Sequence, residues 1–422
     1  MARAWVEDRW LTSTKRRTAL YGKGHRWRVR WREHTGEDVR LRAKGFAKKS
    51  DAEEYAAKLD NDIRASVYRD PDLGKATFAE VATEWLAGHL RIRDATAVRY
   101  ERELRMYMIP KFGNQAINSI TRADLATWVG ELLHGTAPVR YRIRGSNPPI
   151  DRPIGPMRAG LAAASIEHMV SVLGAIFKWA LEADRIVKNP TIGLSIPRPV
   201  PQDHVYLTHT QVRDLATAAQ AITGDRQDAL LVYTLAYTGM RINEALAVQT
   251  ARLNTANREI RVLQTWTQGR DGGRRLGPPK SFEKRTVPLP VFLAAELAEL
   301  ARDRKPGDFL FQARRGGAIF DHNWRPRVWN KAVRDAGLDG LGLTPHKLRH
   351  TAASAAIAAG ADVKVVQQML GHASASMTLD VYGHLWPSRL GEVANALETA
   401  RQTELAAPGP APTPATSLRL VL

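Results

Sequence analysis

The sequence predicts a multidomain α+β protein: a small N-terminal β-sheet plus helix domain, an all-α second domain, and a mainly α third domain with a small antiparallel β-sheet. Three observations carry this reading. The chain has 422 residues, too many for one ordinary core, so two or three domains are expected. Residues 26–32, Arg-Trp-Arg-Val-Arg-Trp-Arg, alternate strictly, which is the period of a strand with one apolar face. From residue 76 to 190, apolar residues recur instead at helical spacing, with Pro-rich breaks on either side of residue 200.

Composition narrows the class. Hydrophobic content of 44% and charged content of 25% are ordinary for a globular protein. A formal net charge of +19 is not, and it points to a polyanionic partner, since neutralising nucleic acid releases counterions. The chain has no cysteine, which excludes disulfides, thiolate nucleophiles and Cys-ligated zinc. No apolar run approaches the ~20 residues of a membrane span, and residues 1–10 lack the apolar core of a signal peptide. A cytosolic protein is expected.

In the first domain, residues 1–68, the alternation places Trp27, Val29 and Trp31 on one strand face and Arg26, Arg28, Arg30 and Arg32 on the other. A turn follows, then a second alternating run that includes Arg40 and Arg42. Trp5 to Leu11 reads as a further strand. Ser50 with Glu53 reads as a capping box opening a helix to about Ile63. The shared arginine face fits a DNA groove.

The second domain, residues 76–190, opens on another capping box, Thr77 with Glu80, ahead of Phe78, Val81, Trp85 and Leu86. A helix from Ala95 to Met108 is expected to stop before Pro110. Thr121 caps a third helix to Leu133, and Ser165 to Asp184 forms a long fourth. Between the last two lies an Arg- and Pro-rich segment, residues 135–160, with Arg140, Arg142, Arg144, Arg152 and Arg158. It reads as a long loop without regular structure, either flexible or laid along a phosphate backbone.

A stiff connector, residues 191–204, leads to the third domain, 205–395. Thr208–Ala221 and Arg226–Tyr237 read as helices. Arg258–Thr265 and Arg285–Leu289 read as strands around a Gly-rich loop, Phe309–Phe311 as a short strand and Asn323–Ala336 as a helix. Three helices fill residues 344–382, another pattern covers 388–402, and residues 396–422 form a flexible tail.

The chemistry concentrates at the end of this domain. Cutting a phosphodiester without a metal requires fixed cations on the non-bridging oxygens, an in-line nucleophile and an acid for the leaving oxygen. Arg241, following Gly239 at a helix start, and Arg349, in His346-Lys347-Leu348-Arg349-His350, supply planar guanidinium forks. His372 follows Gly371, a helix-capping glycine that fixes its position. Lys280 re-enters a strand from the Gly-rich loop, where it can reach a leaving oxygen; Lys284 is its competitor. Tyr382 is the nucleophile candidate. Its ordinary pKa near 10 demands nearby cations and a proton acceptor, for which His346, Arg241 and Arg349 are at hand. His346 and His350 are also spaced as a zinc pair, but Lys347 stands where a metalloprotease helix needs Glu, and no third ligand is evident nearby.

Thr238-Gly-Met-Arg-Ile-Asn-Glu-Ala-Leu246, Lys280 ahead of Arg285-Thr-Val-Pro-Leu289, His346-Lys-Leu-Arg-His-Thr351, Leu370-Gly-His372 and Thr378-Leu-Asp-Val-Tyr382 occur in order, and together they resemble the motifs of the tyrosine recombinase (phage integrase) family. The likeness covers residues 205–385 well. The helical domain resembles that family's core-binding domain, and the N-terminal sheet, less specifically, its arm-site-binding domain. The 135–160 segment departs from the family's usual short connection. The resemblance implies that Tyr382 forms a 3′-phosphotyrosine and releases a 5′-hydroxyl. Arg241, Arg349 and His372 would stabilise the phosphate, His346 would assist proton transfer with Tyr382, Lys280 would protonate the leaving oxygen, and Glu244 would be a buttress. It implies no cofactor and no metal. It also implies double-stranded attachment-site DNA as substrate, a homotetramer on that DNA, a recombination directionality factor and a host DNA-bending protein as accessory partners, and a cytoplasmic, nucleoid-associated location. The competing readings are a chromosome-dimer resolvase of the same family, a non-catalytic DNA-binding regulator on this scaffold, and a metal-dependent nuclease.

Overall fold

The computed structural model describes residues 4–35, 38–64, 72–89, 91–143, 150–198, 204–279, 284–386 and 390–406. The chain divides into two compact units, residues 1–200 and 201–422. The first unit contains two separate cores.

Its N-terminal part is an antiparallel sheet of β1 (Trp5–Asp8), β2 (Trp27–Thr35) and β3 (Asp38–Phe46) in that order, followed by α1 (Lys49–Arg64). The strand alternation holds: Val29 and Trp31 are buried with Ala52, Ala56 and Leu59 of α1, and Trp27 packs at the edge. The Ser50–Glu53 capping box does not form. α1 begins at Lys49, two residues before the start that a Ser50 cap requires, so Ser50 lies inside its first turn and bonds Asp51, while Glu53 pairs with Lys49.

The helical part contains α2 (Phe78–Gly88), α3 (Asp94–Glu103), α4 (Ile109–Phe112), α5 (Arg122–His134) and α6 (Ala163–Glu182). Thr77–Glu80 and Thr121–Asp124 form reciprocal capping boxes, each satisfying backbone N–H groups that the first helical turn leaves free. α3 does not stop before Pro110. It continues through a π turn, Leu104–Met108, into α4. Pro110 has no N–H to offer the Met106 carbonyl, and the backbone N–H of Arg140 donates to it instead at 3.0 Å. The core is built from Phe78, Phe112, Trp128, Ile166 and Phe177. α6 is long and apolar enough to cross a membrane by length and composition, a feature not expected from the sequence. Its stripe of Ile166, Met169, Val170, Leu173, Ile176, Phe177 and Ala180 is buried in this core.

The segment 135–160 is ordered at its base, contrary to expectation. β4 (Pro138–Val139) pairs with β5 (Gly155–Pro156), Arg142 bridges Asp151, and the Ile143 N–H donates to the Ile150 carbonyl at 2.7 Å. Ala137, Val139 and Met157 anchor this ribbon in the helical core. Arg105 of the π turn donates both to the Arg140 carbonyl and to Asp151. The prolines remove few ladder donors because the ribbon is two-stranded and every strand in it is an edge.

The second unit contains α7 (His209–Thr223), α8 (Arg226–Thr238), α9 (Ile242–Ala245), β6 (Leu253–Asn254), β7 (Glu259–Val262), β8 (Thr265–Gln268), β9 (Arg274–Gly277) and β10 (Arg285–Pro288). It continues with α10 (Val291–Ala301), α11 (Asp321–Trp324), α12 (Asn330–Asp335), α13 (Lys347–Ala358), α14 (Val363–Leu370), α15 (Ala375–Tyr382) and α16 (Leu390–Ala406). One sheet has the order β10-β7-β6, and the Gly-rich loop is the tip of a separate β8–β9 hairpin. Phe309–Phe311 is not a strand. Phe309 makes a single bridge to Gln249, while Leu310 and Phe311 plug the core beside Leu235, Leu293 and Trp329. A smaller cluster, Ala352, Ala353, Val366, Leu370 and Tyr382, joins α13, α14 and α15.

Candidate active site

The pocket is built from two helix ends. α8 ends on Gly239 (φ 64°) and α14 on Gly371 (φ 66°), both in the left-handed conformation that glycine adopts without strain. Neither position has room for a side chain. A Cβ at Gly239 would stand 2.7 Å from Leu370 Cδ2, and one at Gly371 would stand 2.8 Å from Arg285 Cδ. The close approach lets Arg349, buried on α13, reach both ends. Its guanidinium donates to the Gly239 carbonyl at 2.7 Å and to the Leu370 carbonyl at 2.6 Å.

Arg241 sits just past Gly239 and caps α9, one residue before the helical turn in which it was expected. Glu244, 1% exposed, receives the Arg241 backbone N–H at 3.0 Å and its guanidinium at 2.8 Å. The same carboxylate takes two bonds from Arg285, at 2.6 and 3.3 Å, and Arg285 also donates to the Met369 carbonyl. Burial alone would raise the Glu244 pKa, but the Arg285 bond and charge, with Arg241, outweigh it and bring it down to about 2. Two guanidinium groups thus share one carboxylate, and the charge of a third, Arg349, is felt by the same cluster. Burial, reinforced by the charges of Arg241 and Arg285, lowers Arg349 to about 9. An excess of buried positive charge of this kind favours an anion.

Tyr382 closes the pocket at the end of α15 and is 1% exposed. Its hydroxyl lies 2.9 Å from His350 Nδ1. The expected partner, His346, is not the one observed: it sits one turn earlier, ahead of α13, and meets His350 edge-on at 5.8 Å. Burial pushes Tyr382 up to about 12, with Arg349 opposing. Burial and the neighbouring His204, His346, Arg349 and Lys347 push His350 down to about 4. In the neutral tautomer that carries its proton on Nε2, His350 accepts at Nδ1 and the Tyr382 hydroxyl donates. His372 Nδ1 bonds Thr378 Oγ1 at 2.9 Å, and its ring lies parallel to that of Tyr382 at 6.5 Å. Burial, then Arg349 and Arg241, bring His372 to about 4.

The structure therefore brings together Arg241, Arg349, His372 and Tyr382, with His346 at the margin. Lys280 lies outside the described residues. Its competitor Lys284 lines, with Arg285, Lys364, Gln367 and His372, an open cavity of about 620 Å³. Sequence reasoning did not select Arg285 and His350. Arg285 opens the 285–289 motif and His350 is the second-last residue of the 346–351 motif, yet neither stood out from its neighbours. Among the described residues, no three or more His, Asp or Glu side chains converge as a metal-binding set, so the His346–His350 pair gains no third ligand there.

The candidate DNA-contacting arginines fare differently. Arg26 pairs with Asp8 at 3.0 Å and Arg28 with Glu7 at 2.7 Å, and Arg30 lies 3.5 Å from Glu7. The β2 arginines are thus largely matched by carboxylates of β1 rather than forming an open basic face. Arg32 is exposed, and Arg42 pairs with Asp72. Arg140 is half-buried. Arg142 is exposed, 3.7 Å from Asp151 and 3.8 Å from Glu101. The Arg40 side chain and Arg144 fall outside what is described.

Comparison with known proteins places this architecture. Residues 205–389 match the model of the phage integrase family, and residues 77–133 match the phage integrase N-terminal SAM-like domain. The tyrosine recombinase XerD of Pseudomonas putida is 30% identical over 278 residues, covering 64% of this chain and 87% of that protein. XerC of Mycobacterium leprae is 30% identical over 244 residues, covering 55% and 76%. In fold, the chain resembles the Tn1549 transposon integrase, solved with a circular intermediate DNA, at a TM-score of 0.59 and 20% identity over 77% of this chain and 99% of that one. Fold and sequence together define an enzyme of DNA strand transfer. The chain belongs to the phage integrase family, the tyrosine recombinases, and is a site-specific DNA recombinase.

Proposed function

We propose that this recombinase inserts a phage or other mobile element into a specific chromosomal site, and excises it with a partner protein, using Tyr382 as nucleophile. The observation that carries the chemistry is the Tyr382 hydroxyl on His350 Nδ1, at the edge of a pocket where Arg241 and Arg285 share the Glu244 carboxylate and Arg349 is held on the Gly239 and Leu370 carbonyls. Arg241, Arg349 and His372 hold the scissile phosphate. Arg285 and Glu244 hold Arg241 in place. The Tyr382 oxygen attacks phosphorus as its proton passes to His350, with His346 beside it. The bond from phosphorus to the 5′ oxygen breaks, and Lys280 gives that oxygen a proton. The resulting phosphotyrosine keeps the bond energy for rejoining.

Burial raises the phenol and lowers the imidazole, and both shifts oppose this transfer in the free protein. Attack thus depends on DNA assembling the site. The working form is a homotetramer on double-stranded attachment sites in the bacterial cytoplasm, in contact with the nucleoid, aided by a directionality factor and a host DNA-bending protein. The sheet and helix of residues 4–64, with Arg32 and Arg42, and the ribbon that carries Arg140 and Arg142 extend the contact with DNA.

The integrase reading is preferred to a chromosome-dimer resolvase because most of the XerD relative is matched while about a third of this chain is left over, and the N-terminal sheet and helix lie outside both family-model matches. The test uses negatively supercoiled plasmid in EDTA, quenched with detergent. Wild type is expected to relax the plasmid and leave a covalent protein–DNA adduct, and Tyr382→Phe neither. An adduct in Tyr382→Phe removes the Tyr382 assignment, and a requirement for magnesium favours the nuclease.

A further inference from the structure

Tyr382 and His350 do not stand alone. His204, the last residue of the Pro-rich connector, lays its ring over His350 with centroids 4.5 Å apart and planes 30° from parallel. The same ring lies 6.4 Å from Tyr382 and 6.4 Å from Tyr206. The stretch that carries it is tied down on both sides of the nucleophile. The Leu207 N–H donates to Thr351 Oγ1 at 3.1 Å, next to His350, and the Tyr206 hydroxyl meets His384 Nε2 at 3.4 Å, just beyond Tyr382. His204 itself is exposed, so it covers the Tyr382–His350 pair from the solvent side.

We propose that His204 is a positioning residue for nucleophile activation: its ring holds the His350 imidazole in the orientation that keeps Nδ1 on the Tyr382 hydroxyl. The inference rests on the reading of Tyr382 as nucleophile and His350 as its proton acceptor. An imidazole can rotate about its bond to the rest of the side chain, and rotation of His350 would carry Nδ1 away from the phenol. His346 meets His350 only edge-on and leaves one ring face open, and His204 occupies it. In the attack, the Tyr382 oxygen forms its bond to phosphorus while its proton moves to Nδ1, so a displaced ring leaves that proton without an acceptor. Arg349, Lys347 and His346 also bear on His350 and, with His204, oppose its protonation.

The experiment measures covalent adduct formation on negatively supercoiled plasmid in EDTA, at saturating protein, for wild type, His204→Ala and His204→Phe. Retention of the same plasmid fragment in a mobility-shift assay gives DNA affinity. The expected result is a rate about tenfold lower in His204→Ala with affinity unchanged, a partial loss of the ~10²–10⁴ that a positioned base contributes. His204→Phe, which keeps a flat ring and no titratable group, is expected to recover to within about twofold of wild type. Equal rates for wild type and His204→Ala overturn the proposal, as does a His204→Phe variant no better than alanine, or a loss explained wholly by weaker DNA binding. If wild type forms no adduct, the nucleophile reading fails and this inference falls with it. If wild type does and Tyr382→Phe does not, the reading stands and His204 alone is being judged.

Discussion

Without its carboxylate, Glu244 would leave Arg241, Arg285 and Arg349 facing one another with no counter-charge. Breaking a buried ion pair at one partner typically costs ~3–5 kcal/mol, so Glu244→Ala is expected to destabilise the second unit by about that much in chemical denaturation. A loss below about 1 kcal/mol would show that water reaches the arginines freely. The two half-buried histidines set a pH response of definite sign. His350 and His372 sit at about 4 in the folded chain against 6.5 when free. The unfolded chain therefore binds more protons between those values, and stability falls as pH drops from about 6.5 to about 4. Melting temperature followed across that window should decline, and His372→Gln should flatten the decline. At this scale the sequence revealed which residue types gather but not which atoms touch. Two histidines one turn apart look equivalent in a string. Only the packing of α15 against α13 decides that His350 meets the phenol and His346 does not.

Elements were more legible where a short-range rule governs them. The Thr77–Glu80 capping box and the Thr121 cap are formed as read, and the structure adds a reciprocal bond from Asp124 to the Thr121 cap, all between partners three residues apart. Thr121→Ala should cost ~1 kcal/mol, measurable as a shift in the unfolding midpoint of the first unit. Gly371 carries a heavier load. Alanine there must adopt a positive φ and push Arg285 off its place against Glu244, since its Cβ would lie 2.8 Å from Arg285 Cδ. Gly371→Ala should therefore lower adduct formation more than its stability loss explains; equal losses would mean that Arg285 has another place to go. The ribbon at 138–156 was hidden because arginine and proline obscure its pattern. Its apolar anchors, Val139 and Met157, are too far apart in sequence to read as partners, and the capping of the Met106 carbonyl by Arg140 is a tertiary event with no local signature.

For the whole molecule, the net charge of +19 sets the terms of DNA binding. Affinity for non-specific duplex should fall linearly with the logarithm of salt concentration, the slope reporting the number of phosphates neutralised. Deleting residues 1–65 should make that slope shallower and impair integration while sparing adduct formation on plasmid. Equal loss of both activities would contradict an accessory role for the sheet. The Pro-rich stretch of residues 191–204 contains the point at which the chain divides into two units, while the boundary expected near residues 68–76 falls inside the first of them. Arg349 has a further consequence for the lineage. Its guanidinium both fits the phosphate role and ties together the ends of α8 and α14 through their last carbonyls. A descendant drifting toward a catalytically silent DNA-binding protein can surrender the Tyr382 hydroxyl with little harm to the fold. It cannot surrender Arg349 without loosening two helices. Decayed relatives should therefore lose the tyrosine first and keep the arginine, so a retained arginine in such a chain records architecture rather than activity.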